Sequence, residues 1–237
     1  MRSPALTTEA LIVAHGQPSD PAPAEADLDR LRGAVAALLP GWTVRAATLA
    51  APGALDRALH GLSAPRVLPF FMADGWFTRT ELPRRLAAAG RGALASLPAF
   101  GMMPEAMDLA VHAARTATLG RRWRIEETRL LLAAHGSGRG PAAAAAAERF
   151  RLALSAALPF AEVRLGFIEQ APTLDAAAAD MGRTALCLPL FVANWDHMRN
   201  DVPAALAAAG FAGPCLAPLG ARPEVPALLA RALLRSG

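Results

Sequence analysis

CLPLFVANWDHMRNDVP, residues 187–203, joins an apolar run to a proline-bounded polar segment that carries Asn194, Trp195, Asp196 and His197. A strand ends here and a helix begins. The chain contains this arrangement twice, because LPFFMADGWFTRTELP occupies residues 68–83, 120 positions upstream. His15 and Pro69 are 54 positions apart, as are His135 and Pro189; Pro69 and Pro83 are 14 apart, as are Pro189 and Pro203. LIVAHG at 11–16 answers LLAAHG at 131–136, and RLAAAG ending at Gly90 answers ALAAAG ending at Gly210. Paired prolines and His-Gly steps in one register are not chance alanine matches. The period is far longer than a solenoid unit and has the size of a small domain, so two similar domains are expected, 1–120 and 129–237, with the boundary near 119–128.

Composition narrows the class. With 237 residues, 54% hydrophobic and 19% charged, the chain reads as a soluble globular protein. No apolar run reaches the roughly 18 residues of a membrane span. The five-residue run ALIVA reads as a first strand and not as a secretory signal, so a cytoplasmic protein without membrane partners is expected. Cys187 and Cys215 lack a CxxC partner and sit in apolar segments, which predicts buried thiols and no disulfide framework. All 24 basic residues are arginine, and lysine and tyrosine are absent. High-GC coding accounts for that bias, yet a net charge of +4 on planar guanidinium groups also suits a ligand with several carboxylates. Nucleic acid is not expected, since the arginines are scattered and aromatic residues make up only 5%.

Apolar runs at 11–14, 44–49 and 66–71 predict strands alternating with helices at 24–39, 52–62 and 80–89. Thr80 is the expected N-cap of the last, with Pro83 in its first turn and Gly90 at its end. A weaker strand at 93–97 and a helix at 104–118 complete the first half. The second half repeats the order: strands 129–134, 162–167 and 184–191, helices 141–158, 172–181 and 200–209, a last strand at 214–217 and a helix at 224–234. Alternation of this kind predicts an α/β protein of two tandem similar domains, each a mostly parallel sheet flanked by helices, with a cleft between them. Ligands of such sheets bind beyond the carboxyl ends of the strands. His15, His135 and the loop carrying His197 all fall there.

His135 leaves a strand end into Gly136-Ser137-Gly138-Arg139-Gly140, a loop that could cradle an anion at the following helix. It lacks the spacing and the lysine of a phosphate loop, and Ser137 is not in G-x-S-x-G. Glu169, in GFIEQAP, lies just past the middle strand of the same half. Two histidines and a carboxylate at three successive strand ends suit a borderline transition metal, and the carboxylate can also accept protons. In the first half Phe77 stands at the position of His197, and Ala50 or Leu49 at that of Glu169. Only His15 survives there, so one working site is expected in the second half, with His15 as a candidate to face it. Asp201 and Glu81, each two positions before a proline, read as structural charges at a helix N-terminus.

HGSGRG, GFIEQAPTL and LPLFVANWDHMRNDVP together resemble the class II chelatases, in particular the sirohydrochlorin cobalt and iron chelatases. The likeness spans about 129–210, and the first half resembles the same family more weakly, as in its long, fused two-domain form. The resemblance implies that His135 and His197 handle the metal and that Glu169 accepts protons and joins them as a metal-site residue. His15, Ser137, Arg139 and Trp195 are the expected substrate contacts. It also implies a carboxylate-rich tetrapyrrole between the domains and a divalent metal, cobalt or iron, as a substrate, with no permanent cofactor. A monomer or a homodimer would serve. The chain departs from the family pattern at Trp195, where glycine is usual, and at Gly138, where arginine is usual. An indole there either stacks on a flat macrocycle or obstructs the cleft. Two other readings stand beside a chelatase: a non-catalytic carrier of tetrapyrrole or metal, and an unrelated α/β lyase or transferase using His135 and Glu169 as acid and base.

Overall fold

The structure, a computed structural model, describes residues 8–138 and 140–235. Its elements pack as two compact units, one made of the chain up to Phe100 with the segment from Pro223, the other of Gly101–Arg222.

In the first unit β1 (Glu9–Ala14) leads through α1 (Pro21–Ala37) to β2 (Thr43–Thr48), and α2 (Ala54–Leu59) leads to β3 (Arg66–Pro69). The sheet order is β2-β1-β3 and both pairings are parallel. β1 is central, and its run Ala10 to Ala14 is fully buried, as a strand covered on both faces must be. Proline at the first position of α1 costs no hydrogen bond, and Ala24, Leu28 and Val35 place one face of that helix against the core. After β3 the chain makes a π-helical turn, Phe77–Glu81, that runs directly into α3 (Leu82–Ala88). Thr80 therefore lies inside a continuous helical segment and is not the N-cap expected from sequence.

The second unit opens with α4 (Pro104–Gly120) and repeats the pattern: β4 (Arg129–Ala134), α5 (Ala142–Ala157), β5 (Glu162–Phe167), α6 (Leu174–Ala178), β6 (Ala185–Pro189), then α7 (Asp196–Arg199) and α8 (Asp201–Ala208). Its order is β5-β4-β6, again all parallel. Gly166 allows α6 to close on β5: a Cβ there would lie 2.8 Å from Ala177 Cβ and from Leu174 Cα. The last helix, α9 (Val225–Arg235), belongs to the first unit, where it packs on α1 and its Leu233 carbonyl accepts from the Arg66 guanidinium of β3. α4 packs on α5 and β6 of the second unit. The duplicated segments and the packing units are thus different divisions of one chain.

The fold class expected from the sequence holds: two parallel three-stranded sheets flanked by helices. The strands expected at 93–97 and 214–217 do not form. Each segment makes one isolated parallel bridge, Val67 with Ser96 and Cys187 with Cys215. Cys187 is buried as expected, but Cys215 is exposed, because its segment touches the sheet edge at a single residue. Among the described residues no helix is long and apolar enough to cross a membrane.

Candidate functional site

The three candidate side chains of the second unit, His135, Glu169 and His197, follow the carboxyl ends of its strands. β4, β5 and β6 are in register, with Ala134 beside Phe167 and Ala133 beside Pro189, so the chain leaves three adjacent strands at one level. Main-chain hydrogen bonds carry that register one step past the strands. Ile168 N donates to Ala134 O (3.0 Å), Glu169 N to His135 O (2.9 Å) and Leu190 N to Ala133 O (2.7 Å). His135 and Glu169 are therefore fixed side by side by backbone alone. Their side chains follow, with His135 Nε2 3.6 Å from Glu169 Oε1.

His197 arrives on α7, and its ring meets that of His135 edge to face, centroids 4.5 Å apart and planes at 88°. Both imidazoles are held by the same nitrogen. His135 Nδ1 lies 2.9 Å from the Gly136 carbonyl, which can only accept, so Nδ1 carries the proton. His197 Nδ1 donates to the Asp201 carboxylate at 2.7 Å. A neutral ring held in this way is the tautomer that leaves Nε2 as the ligating atom, the arrangement in which an outer carbonyl or carboxylate orients a metal-binding histidine. Side-chain exposures of 37–51% for His135, Glu169, His197 and Asp201 leave the group reachable from solvent.

Gly136 makes the turn after His135 possible. Its φ is +73°, and a Cβ would fall 2.7 Å from Gln170 Cγ. Gln170 in turn accepts from Ser137 N at 2.8 Å. That N–H is consumed inside the loop, so the anion cradle expected at 136–140 loses one of its donors. Asp201 stands in the first turn of α8, as expected of a helix-end charge, and its carboxylate also binds the imidazole one turn earlier, a partner that the sequence analysis did not assign to it; the His-x-x-x-Asp spacing on helical sequence is the signal for that pairing.

The first unit repeats the scaffold with other side chains. Leu49 N donates to Ala14 O (2.9 Å), Ala50 N to His15 O (2.8 Å) and Phe70 N to Val13 O (2.7 Å). Ala50, not Leu49, is thus the counterpart of Glu169. His15 Nδ1 lies 2.9 Å from the Gly16 carbonyl, and the His15 ring meets Phe77 edge to face at 4.1 Å. The geometry is preserved while the second imidazole and the carboxylate are gone. Glu81, the counterpart of Asp201, turns instead to Arg84 and Arg85, whose hydrogen bonds pull its carboxyl down to about 2.

Of the expected substrate contacts, Ser137 lies in the loop that opens with His135, Trp195 immediately precedes α7, the helix that carries His197, and His15 lies in the first unit. Arg139 falls outside the described residues. A preformed cage of three or more His, Cys, Asp or Glu side chains is absent among the described residues. What is present is a pair of oriented imidazoles with a carboxylate beside one of them. Two ligands about 2.1 Å from one tetrahedral ion stand roughly 3.4 Å apart. The His135 to Glu169 distance of 3.6 Å is close to that separation. An open apolar hollow of about 510 Å³, lined by Ala144, Leu165, Phe167 and Pro172 among others, lies between α5 and β5, and none of the three residues lines it.

The CbiX family model matches residues 129–236. Curated protein sequences give no match. Among solved structures, a CbiX described as the terminal enzyme for biosynthesis of siroheme in denitrifying bacteria is 46% identical, with a TM-score of 0.89 over 97% of this chain and 99% of its own. SirB from Bacillus subtilis with Fe3+ superposes with a TM-score of 0.77 over 96% of this chain and 94% of its own, at 15% identity. A multi-domain Deinococcus radiodurans protein with structural similarity to chelatases gives 0.69 at 22% identity, covering 96% of this chain and 54% of its own. The last two establish likeness of fold alone.

Proposed function

We propose, from the premise that the chain belongs to the CbiX family of class II chelatases, that it is a lyase inserting a divalent metal, cobalt or ferrous iron, into sirohydrochlorin. The observation that carries the reading is the matched orientation of His135 and His197, both held through Nδ1 so that both offer Nε2. Metal insertion exchanges one divalent ion for two pyrrole N–H protons. A site for it needs ligands that hold the ion and then let it go, and a group that takes protons. Neutral imidazoles are borderline ligands suited to the first task for cobalt or iron, and a carboxylate next to one of them is suited to the second.

In this reading the metal docks on His135 and His197 and passes to the macrocycle, while Glu169 lies within the metal's coordination sphere and accepts the protons. Asp201 acts through His197, holding its tautomer and its angle. Trp195 and Ser137 lie on the loops that would meet the macrocycle, and His15 and Arg139 remain proposed contacts on the strength of the family likeness alone. Among the described residues the first unit has no equivalent of this site, since Phe77 and Ala50 stand in place of the imidazole and the carboxylate.

The test is the visible spectrum of sirohydrochlorin over time, with cobalt or ferrous ion, in the presence and absence of the purified protein. Faster metalation with the protein is expected. A macrocycle that binds, with its metalation no faster than in the control, would mean a carrier and not an enzyme.

A further inference from the structure

The chain has two cysteines, far apart in sequence, and the fold places them directly opposite one another. Cys187 N donates to Pro214 O at 3.0 Å and Leu216 N donates to Cys187 O at 2.9 Å. Residue 215, flanked by both bonds, is therefore the lateral neighbour of residue 187. Neighbouring strands run about 4.8 Å apart, inside the roughly 4.4–6.8 Å Cα separation that a disulfide spans. Side chains of laterally paired residues leave the same face of a sheet, so the two thiols meet there. Cys187 is completely buried in β6, whereas Cys215 is exposed.

We propose that Cys215 and Cys187 are a peroxide-reactive dithiol that closes an intrachain disulfide between β6 and the segment beside it. The exposed sulfur is the one a hydroperoxide can reach, and the buried one is the resolving partner. The Cys215 thiolate attacks a peroxide oxygen and breaks the O–O bond, giving a sulfenic acid and, after protonation, water. The Cys187 sulfur then attacks the Cys215 sulfur. The S–S bond forms, the S–OH bond breaks, and the leaving hydroxide takes the Cys187 proton as a second water. Two thiols and one hydrogen peroxide thus become one disulfide and two waters. The neighbouring thiols also favour this division of roles: Cys187 lowers the Cys215 thiol from its ordinary value, while Cys215, together with burial, raises Cys187.

The experiment treats the native full-length chain with stoichiometric hydrogen peroxide, then denatures it for thiol titration, intact-mass measurement and peptide mapping. Both thiols are expected to disappear together, with a mass loss of two hydrogens and a Cys187–Cys215 cross-linked peptide, all reversed by dithiothreitol. Cys187→Ser is expected to stop at a dimedone-reactive sulfenic acid on Cys215, and Cys215→Ser to keep Cys187 reduced. Three results on the unsubstituted chain would each overturn the proposal: both thiols persisting, Cys215 carrying two or three oxygens with Cys187 still free, or disulfides found between chains alone.

Discussion

Asp201 and Glu169 separate two tasks that share one small group of side chains. The Asp201 carboxylate accepts from His197 Nδ1, so the effect proposed for it passes through the tautomer and angle of that ring. Asp201→Asn keeps the shape and removes the charge; outer carboxylates of this kind are worth about 10–100-fold in metal affinity or activity. A loss in that range is expected in the cobalt insertion rate, with tetrapyrrole binding unchanged. Should the variant run at the wild-type rate, Asp201 has no positioning role. Glu169→Gln removes the proposed proton acceptor, and general-base groups contribute about 10²–10⁴-fold. Equilibrium metal binding, read by calorimetry, is expected to weaken as well, because Glu169 also lies in the proposed coordination sphere, but by less than the rate; a variant that inserts metal at the wild-type rate would contradict the proton-accepting role. The histidines and Glu169 were legible in the sequence because strand ends are legible and the duplicated half served as an internal comparison. Asp201 was not, because a carboxylate in the first turn of a helix has an ordinary explanation in the helix dipole, and only the packed structure reveals its partner.

At the scale of elements, the turn after β4 and the helix after β3 carry the sharpest expectations. Gly136→Ala puts an L side chain at φ +73° and drives its Cβ into Gln170; the left-handed conformation alone costs about 1–2 kcal/mol. Thermal unfolding should shift down accordingly, and an unchanged melting temperature would mean that the turn does not need glycine. Glu81 tests electrostatics. Its folded pKa, about 2, lies below the roughly 4.3 of a free glutamate. A depressed carboxylate stabilises the fold fully above its unfolded pKa, and that contribution fades as pH falls toward the folded value. Glu81→Gln is therefore expected to flatten the loss of stability between about pH 4.3 and about 2, measured by urea unfolding. A variant with the wild-type slope would contradict it. The six strands were readable within two residues at each end because β1, β3, β4 and β6 are short apolar runs, and β2 and β5, TVRAAT and EVRLGF, lie between helical segments at matching places in the two halves. Residues 93–97 and 214–217 misled because apolar character does not reveal that a segment touches the sheet once and then leaves it.

At the scale of the whole molecule, the duplication was plain from paired landmarks, but the assignment of helices to units was not. An amphipathic helix announces that one face must be buried and says nothing about which partner buries it. α9 buries Val225, Leu228, Leu229 and Leu233 in the first unit. Each such side chain is worth about 1.5–3 kcal/mol, so deleting the chain from Pro223 onward removes an amount comparable with the whole stability of a small domain. Hydrogen exchange should then lose protection in β1, β2 and β3 while β4, β5 and β6 keep theirs; the opposite pattern would contradict the division into units. The central claim concerns the second unit, where two imidazoles, each held through Nδ1, are proposed to do what an imidazole and a phenyl ring at the same positions in the first unit cannot. The measurement that tests it most directly is the metalation rate of sirohydrochlorin by His197→Phe, a variant that gives the second unit the His-Phe pair of the first. Loss of metalation with the macrocycle still bound is expected, and insertion at the wild-type rate would contradict the claim.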